Sequence, residues 1–172
     1  MLKIAVTGPE STGKSVLSAQ IAEYFHTREI PEYARIYLQN LKGRYGLDDV
    51  VNIAKGQTRL IEEEKSKHSQ VIVADTEMTV CKVWTEYVFH RTPHFIEKAL
   101  REQDFDIYLL CDIDLPWTYD PLRENPDIEE REEIFHLYQL ILNDISAPYG
   151  IVCGIGEQRF QNALSIIKPY IR

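Results

Sequence analysis

Four short, almost wholly apolar runs punctuate the chain: LKIAVT (2–7), QVIVADTE (70–77), DIYLLCDID (106–114) and YGIVCGIG (149–156). Runs of this length without a polar face suit strands covered on both sides. A shorter extended piece is expected at REIPEY (28–33), where Pro31 cannot donate to a neighbouring strand and so marks a sheet edge or a strand end. Between these runs the apolar positions switch to helical spacing. KSVLSAQIAEYF carries them at 17, 21, 22 and 25; the segment 47–68 opens with acidic residues and carries them at 50, 53, 54, 60 and 61. The segment 80–89 puts Val80, Val83, Trp84, Tyr87 and Val88 on one helical face. Further helices are expected from Pro93 to about Arg101, over 128–145 and over 157–171. Strands alternating with helices predict an α/β fold, a five-stranded parallel sheet with helices on both faces. The exception to the periodicity is IDLPWTYDPLRENPD (113–127), with three prolines. A stretch of this kind inside a compact domain reads as a lid.

The first strand leads into GPESTGKS (8–15), which meets the spacing G-x-x-x-x-G-K-[ST] at Gly8, Gly13, Lys14 and Ser15, with a strand before it and a helix after it. Glycines let successive backbone N–H groups point inward as an anion nest, and the helix start adds the positive end of its dipole. Gly8, Glu10, Ser11, Thr12, Gly13, Lys14, Ser15 and Val16 are therefore expected to hold ATP, with Lys14 as a mobile charge on the β- and γ-phosphates. Such a loop works with Mg²⁺, for which the Ser15 hydroxyl and Asp75, closing the strand VIVAD, are the expected ligands; Asp75 is also a good helix cap. The fold class is thus a P-loop NTPase with an Arg-bearing lid, and 1–172 reads as one domain whose lid spans about 113–131.

Neither the N-K-x-D segment nor the D-x-x-G loop of a GTPase switch is present. A ring ATPase usually brings a second helical domain, for which this length leaves little room. A small-molecule kinase calls for an acid and an Arg after the second strand, an acid after the third, and an Arg in the lid. Glu32 and Arg35 in PEYAR, Asp75 and Glu77 in ADTE, and Arg123 and Arg131 in and just after the lid supply them. Cations must converge on the γ-oxygens, a lid must expel water, and a carboxylate must take the acceptor's proton. Asp75 and Glu32 both qualify as that carboxylate. Arg131 lies within EEREE, so local pairing along the helix competes with a role at the phosphate.

Together GPESTGKS, PEYARIYL, DTEMTVCKVWTEYVF and LLCDIDLPWTYDPLRENP resemble the ribosylnicotinamide kinase domain of NadR-type NAD-biosynthesis proteins, over essentially the whole chain. The resemblance implies transfer of the γ-phosphate of ATP to the 5′-hydroxyl of nicotinamide riboside, giving nicotinamide mononucleotide. In those relatives an adenylyltransferase domain precedes the kinase; with a first strand beginning at Leu2, this chain is expected to be the kinase alone or an excised domain.

A nicotinamide ring is a flat cation that aromatic faces and carboxylates would hold. Glu32, Tyr33, Arg35, Gln57, Asp75, Trp84 and Trp117 are the expected substrate contacts. For Trp84, on the apolar face of its helix, core packing competes with that role. For Trp117 the competing role is lid packing. Gln57 stands where the stripe 50, 53, 54, 57, 60, 61 calls for an apolar residue; it either enters the site or serves buried backbone groups. Arg159, in GIGEQRF, is placed to lie against adenine or on the surface of the last helix.

Composition narrows the partners. The 27 acidic and 19 basic residues give a formal net charge of −8, with no dense Lys/Arg block, so a nucleic-acid partner is not expected. No run approaches the roughly 20 apolar residues of a membrane span, and no membrane partner is expected. Cys81, Cys111 and Cys153 are far apart, with no C-x-x-C pair; Cys111 and Cys153 read as small buried hydrophobes, and a reducing cytoplasmic location is expected. The expected partner is a small nucleoside. Nothing in the sequence sets the oligomeric state, and a homo-oligomer stays open.

Overall fold

The computed structural model describes residues 1–171. Five strands, β1 (Leu2–Thr7), β2 (Glu29–Ile30), β3 (Val71–Asp75), β4 (Ile107–Cys111) and β5 (Tyr149–Val152), form one sheet in the order β2-β3-β1-β4-β5, parallel throughout. Strand pleating sorts the apolar residues onto two faces. Ala5, Ile72, Ala74, Tyr108 and Leu110 face one layer of helices, whereas Ile4, Val6, Val73, Ile107, Leu109 and Cys111 face the other. The first layer holds α3 (Leu47–Ser66), α4 (Met78–Phe89), α5 (His94–Glu102) and α6 (Ile128–Asp144). The second is α1 (Lys14–Tyr24) and α7 (Glu157–Ile167). The short α2 (Tyr33–Asn40) lies at the β2 edge, against α3. The central strand β1 is flanked by β3 and β4, so the chain after β1 opens into a crevice at the carboxyl ends of the strands.

The expected fold class is observed, with differences at element ends. The extended run expected to reach residue 33 stops at Ile30, and α2 follows within three residues. No residue of α2 is fully buried, so its pattern carries little periodic signal. It is held by tertiary contacts. The Gln57 side-chain oxygen accepts from the Tyr33 N–H (2.8 Å), one of the donors a helix start leaves free. The Tyr33 ring packs on Gly56, where a Cβ would lie 2.1 Å from it. Thr76 takes a left-handed conformation (φ 72°) and ends β3, and the Glu77 carboxylate caps α4 at Thr79 N–H (2.7 Å), so that helix begins two residues before Val80. Gly154 and Gly156, both at positive φ, end β5 at Val152 instead of 156. The last helix gives way to a 3-10 turn at Lys168–Tyr170, where Pro169 withdraws a donor.

The Gly56–Tyr33 contact carries a prediction. Gly56→Ala should gain helix propensity yet lower stability by about 1–3 kcal/mol, because the added methyl displaces the Tyr33 ring and loosens the start of α2. Chemical denaturation of wild type and variant checks it; a stabilised variant would show that the ring moves away freely.

Candidate active site

The loop between β1 and α1 folds as glycine spacing demands. Gly8 sits at φ 130°, where a Cβ would lie 2.8 Å from the Cys111 carbonyl oxygen, and Gly13 at φ 76°. Ser11 also has positive φ (58°). The loop is braced internally by Thr12 Oγ1 donating to the Pro9 carbonyl (2.7 Å), and Lys14 Nζ reaches back to the same oxygen (2.8 Å). A phosphate arriving at the loop therefore meets a lysine already folded over it.

Beyond the loop lies a cavity of about 700 Å³. One end is the loop itself, Gly8 to Val16. Glu32, Arg35 and the lid residues Leu122 to Asn125 also line it, and Glu124 bonds both to Glu10 of the loop and to Tyr45. The far end is aromatic and aliphatic, with Leu38, Tyr45, Val83, Trp84, Tyr87 and Phe89. The apolar face expected on 80–89 thus divides: Val80, Val83, Trp84, Tyr87 and Val88 all line the cavity, although part of that face also packs on the core.

Two carboxylates approach the phosphate end. Glu32 lines the cavity; burial pushes its carboxyl above the usual range, Lys14 opposes that, and Asp75 adds to it. Asp75, 3% exposed at the end of β3, lies behind the loop and does not line the cavity wall. Burial raises it too, against the Ser15 hydroxyl and Lys14, and its Oδ1 has no partner among the described residues. A buried carboxylate oxygen without a donor, beside the Ser15 hydroxyl, is a donor set that suits a hard divalent cation or its water shell. Elsewhere among the described residues no group of three or more His, Cys, Asp or Glu could hold a metal, and His90 and His94 are exposed.

The lid crosses the loop and is bonded to it. Ser11 Oγ accepts from the Thr118 N–H (2.8 Å) and from Arg123 Nη1 (3.4 Å), and Arg123 also reaches the Thr118 carbonyl. Glu10 accepts from the backbone of Glu124 (2.9 and 3.1 Å) and of Asn125. Arg35 pairs with Asp120 across the rim (3.0 Å).

Several expected contacts end elsewhere. Gln57, 2% exposed, spends its amide on the Tyr33 N–H and the Thr76 carbonyl (3.3 Å), so it braces α2 against the end of β3. Tyr33 packs on Gly56, outside the main cavity. The Trp117 side chain is not on the cavity wall; its ring meets Tyr119 edge-on (6.3 Å), and its buried Nε1 has no partner among the described residues. Glu10 lines the cavity, but its carboxylate is committed to lid amides.

Arg131 is buried (3% exposed) and makes none of the pairs expected within EEREE; it donates to the Leu115 carbonyl (3.3 and 3.4 Å). Arg159 is also buried and does not lie on the helix surface. Its guanidinium holds Asp114 (2.6 Å) and the carbonyls of Gly154, Thr12 and Asp112 (2.9–3.0 Å), clamping the phosphate loop to the ends of β4 and β5. Cys153, expected inside, is exposed, whereas Cys81 and Cys111 are buried. Tyr45, Phe89 and Glu124 line the cavity without having stood out in sequence. The signals available for them were weak: a tyrosine between Gly43 and Gly46, and an acid beside the lid arginine.

Known proteins are similar to this chain in sequence and fold. The chain is 27% identical over 145 residues to the trifunctional NAD biosynthesis/regulator protein NadR of Escherichia coli (strain K12), covering 82% of this chain and 35% of that protein. It is 26% identical over 170 residues to the NadR of Salmonella typhimurium, covering 96% of this chain and 42% of that one. The chain thus spans less than half the length of these relatives. Among solved structures, NadR in complex with NR superposes with a TM-score of 0.80 at 22% identity, over 98% of this chain and 51% of that one. Thymidylate kinase from Ehrlichia chaffeensis superposes at 0.71 and 15% identity, over 99% of this chain and 98% of that one. These likenesses show a P-loop kinase fold. A family model described as an AAA domain matches residues 3–159, a span that holds the phosphate loop, the strand-end acid and the lid, and the chain belongs to that family of P-loop proteins.

Proposed function

We propose that this chain is an ATP-dependent kinase that phosphorylates the 5′-hydroxyl of nicotinamide riboside to give nicotinamide mononucleotide, as one domain with its lid at about 113–131. The observation that carries the reading is the cavity's continuity. Its wall joins a phosphate-binding loop, the Glu32 carboxylate and an aromatic cluster without a break. A triphosphate fits the first part, a ribose hydroxyl the second and a flat base the third. Homology to NadR and the fold shared with a NadR bound to NR support the acceptor.

The residues divide the work. The loop amides and Lys14 bind the β- and γ-phosphates. Glu32, the wall carboxylate, takes the proton of the acceptor hydroxyl as its oxygen bonds to the γ-phosphorus; the bond from that phosphorus to the β–γ bridging oxygen breaks, and ADP leaves. Arg123, held over the loop by Ser11, faces the transferring group, with Arg35 at the rim. Arg131 and Arg159 fix the lid base and the loop from behind. Asp75 and Ser15 would hold Mg²⁺, which offsets charge on the phosphates. Trp84 and its aromatic neighbours take the nicotinamide ring, whose positive charge favours their faces.

A second nucleoside acceptor fits the same geometry, since aromatic faces accept any flat base. A deoxyadenosine kinase from M. mycoides with bound dATP shares the fold at a TM-score of 0.60. The three cysteines are free, as a reducing compartment would leave them, and among the described residues no helix is long and apolar enough to cross a membrane.

The test is ATP consumption with and without nucleosides. Turnover is expected only with an acceptor present, fastest with nicotinamide riboside. Steady hydrolysis indifferent to every nucleoside would instead make the protein a regulatory ATPase.

A further inference from the structure

Glu124 occupies an unusual place in the lid. Its backbone N–H, with that of Asn125, donates to Glu10 of the phosphate loop. Its carboxylate accepts from the Tyr45 hydroxyl at 2.6 Å. Among the described residues no other lid residue bonds both to the phosphate loop and to the aromatic end of the cavity. Tyr45 sits on the 41–46 connection between α2 and α3, outside any regular element, and Gly43 in that connection has φ 102°. Its position is therefore set by what its ring touches. The ring meets Trp84 edge-on at 5.0 Å and Phe89 at 6.2 Å, and all three line the cavity. Burial and the Glu124 carboxylate push the Tyr45 hydroxyl up to about 12, so it remains the donor at neutral pH. A short hydrogen bond to a carboxylate is among the stronger polar contacts available.

We infer that Tyr45 and Glu124 form a positioning pair that makes closure of the lid depend on a flat ring filling the aromatic end of the cavity. A ring bound against Trp84 narrows the positions open to Tyr45, and the position it keeps presents the hydroxyl to Glu124. Glu124, so held, seats its own N–H on Glu10. Closure over the phosphates is favoured only to the extent that the two states differ in these contacts, which is the general condition for coupling two sites. Neither residue touches a reacting atom. The pair acts through the lid, so that with an acceptor bound Arg123 is brought over the loop and water is kept from the γ-phosphate. The turnover arm below rests on the kinase reading, whereas the exchange arm needs only that the nucleoside binds.

The primary experiment is hydrogen–deuterium exchange of the lid segment 118–125 in the protein loaded with the ATP analogue AMP-PNP and nicotinamide riboside, with the AMP-PNP complex alone as the reference in which the pair should protect little. Tyr45→Phe keeps the ring and removes the bond; Glu124→Ala removes its acceptor. Each is expected to speed exchange there by about tenfold, the loss of one hydrogen bond to a charged group. Glu124→Gln retains an acceptor oxygen and is expected to recover most of the protection. Amides of α3 serve as the internal standard and should not change. A lid effect below about threefold, or an equal loosening of α3, overturns the inference. In the turnover arm, wild type consumes one ATP per phosphorylated acceptor, whereas Tyr45→Phe is expected to consume about two or more as water gains access. A variant that is merely slower, at one ATP per product, also overturns it. A wild type that phosphorylates no nucleoside defeats the kinase reading and leaves the exchange result standing on its own.

Discussion

Glu32→Gln is expected to lower turnover by about 10²–10⁴-fold, the range for loss of a positioned general base. The residue is chosen on geometry. Both Glu32 and Asp75 suit the role in sequence, but of the two only Glu32 lines the cavity that holds the phosphate loop and the aromatic cluster. The substitution keeps shape and removes only the ability to take a proton, so nucleotide affinity should change little. The pH dependence follows from the shift. Burial raises the Glu32 carboxyl above its ordinary value, with Asp75 adding and Lys14 opposing. The base works when ionised, so wild-type kcat/KM should fall as pH drops through that raised value, on the alkaline side of an ordinary glutamate. In Glu32→Gln that acid limb should disappear. A variant within tenfold of wild type, or one that keeps the limb, would move the base to Asp75.

Asp75→Asn is expected to act in two opposite directions. Turnover should fall by about 10²–10³-fold, equivalent to about 3–4 kcal/mol of lost transition-state stabilisation, through weakened Mg²⁺ binding at Ser15 and residue 75. Raising Mg²⁺ should recover part of the loss, which it would not do for Glu32→Gln. Stability of the ligand-free protein should rise. The Asp75 carboxyl is raised by burial, with the Ser15 hydroxyl and Lys14 only partly offsetting it. A carboxyl whose folded-state value is raised contributes most to stability below its unfolded value, and that contribution is lost as pH climbs through the folded value. At pH 7 the ionised side chain therefore works against the fold, and asparagine relieves it. Thermal unfolding without ligand should show a higher Tm for Asp75→Asn at pH 7, and the gap should close below about pH 4, near the unfolded carboxyl. A lower Tm at pH 7 would mean that Asp75 is satisfied by partners other than a cation.

The two arginines near the lid mark where sequence reading stops being sufficient. Arg123 lies among prolines and Arg131 among glutamates, and those neighbours suggest for Arg131 a local pairing that the fold does not make. In the fold Arg123 faces the cavity over Ser11, while Arg131 turns inward beneath the lid to the Leu115 carbonyl. Tyr33 and Trp84 diverge in the same way. Tyr33 adjoins a functional acid yet packs on Gly56; Trp84 sits on a core-like stripe yet opens onto the cavity. α2 leaves no periodic signal because Gln57 and Gly56 hold it, and both lie more than 20 residues along the chain.

What could be read directly was whatever the chain encodes over a few neighbouring residues. Buried parallel strands are apolar runs, amphipathic helices repeat on a helical period, and an anion nest needs glycine at set intervals; the sheet, most helices and the phosphate loop follow from these alone. Which side chains meet was left to the three-dimensional packing. Glu32, Tyr45, Trp84 and Glu124 come from four separate segments and surround one cavity only because the strand order folds those segments to the same side. Contacts between distant segments are selected by the free energy of the whole fold, which leaves no periodic trace at any one of them.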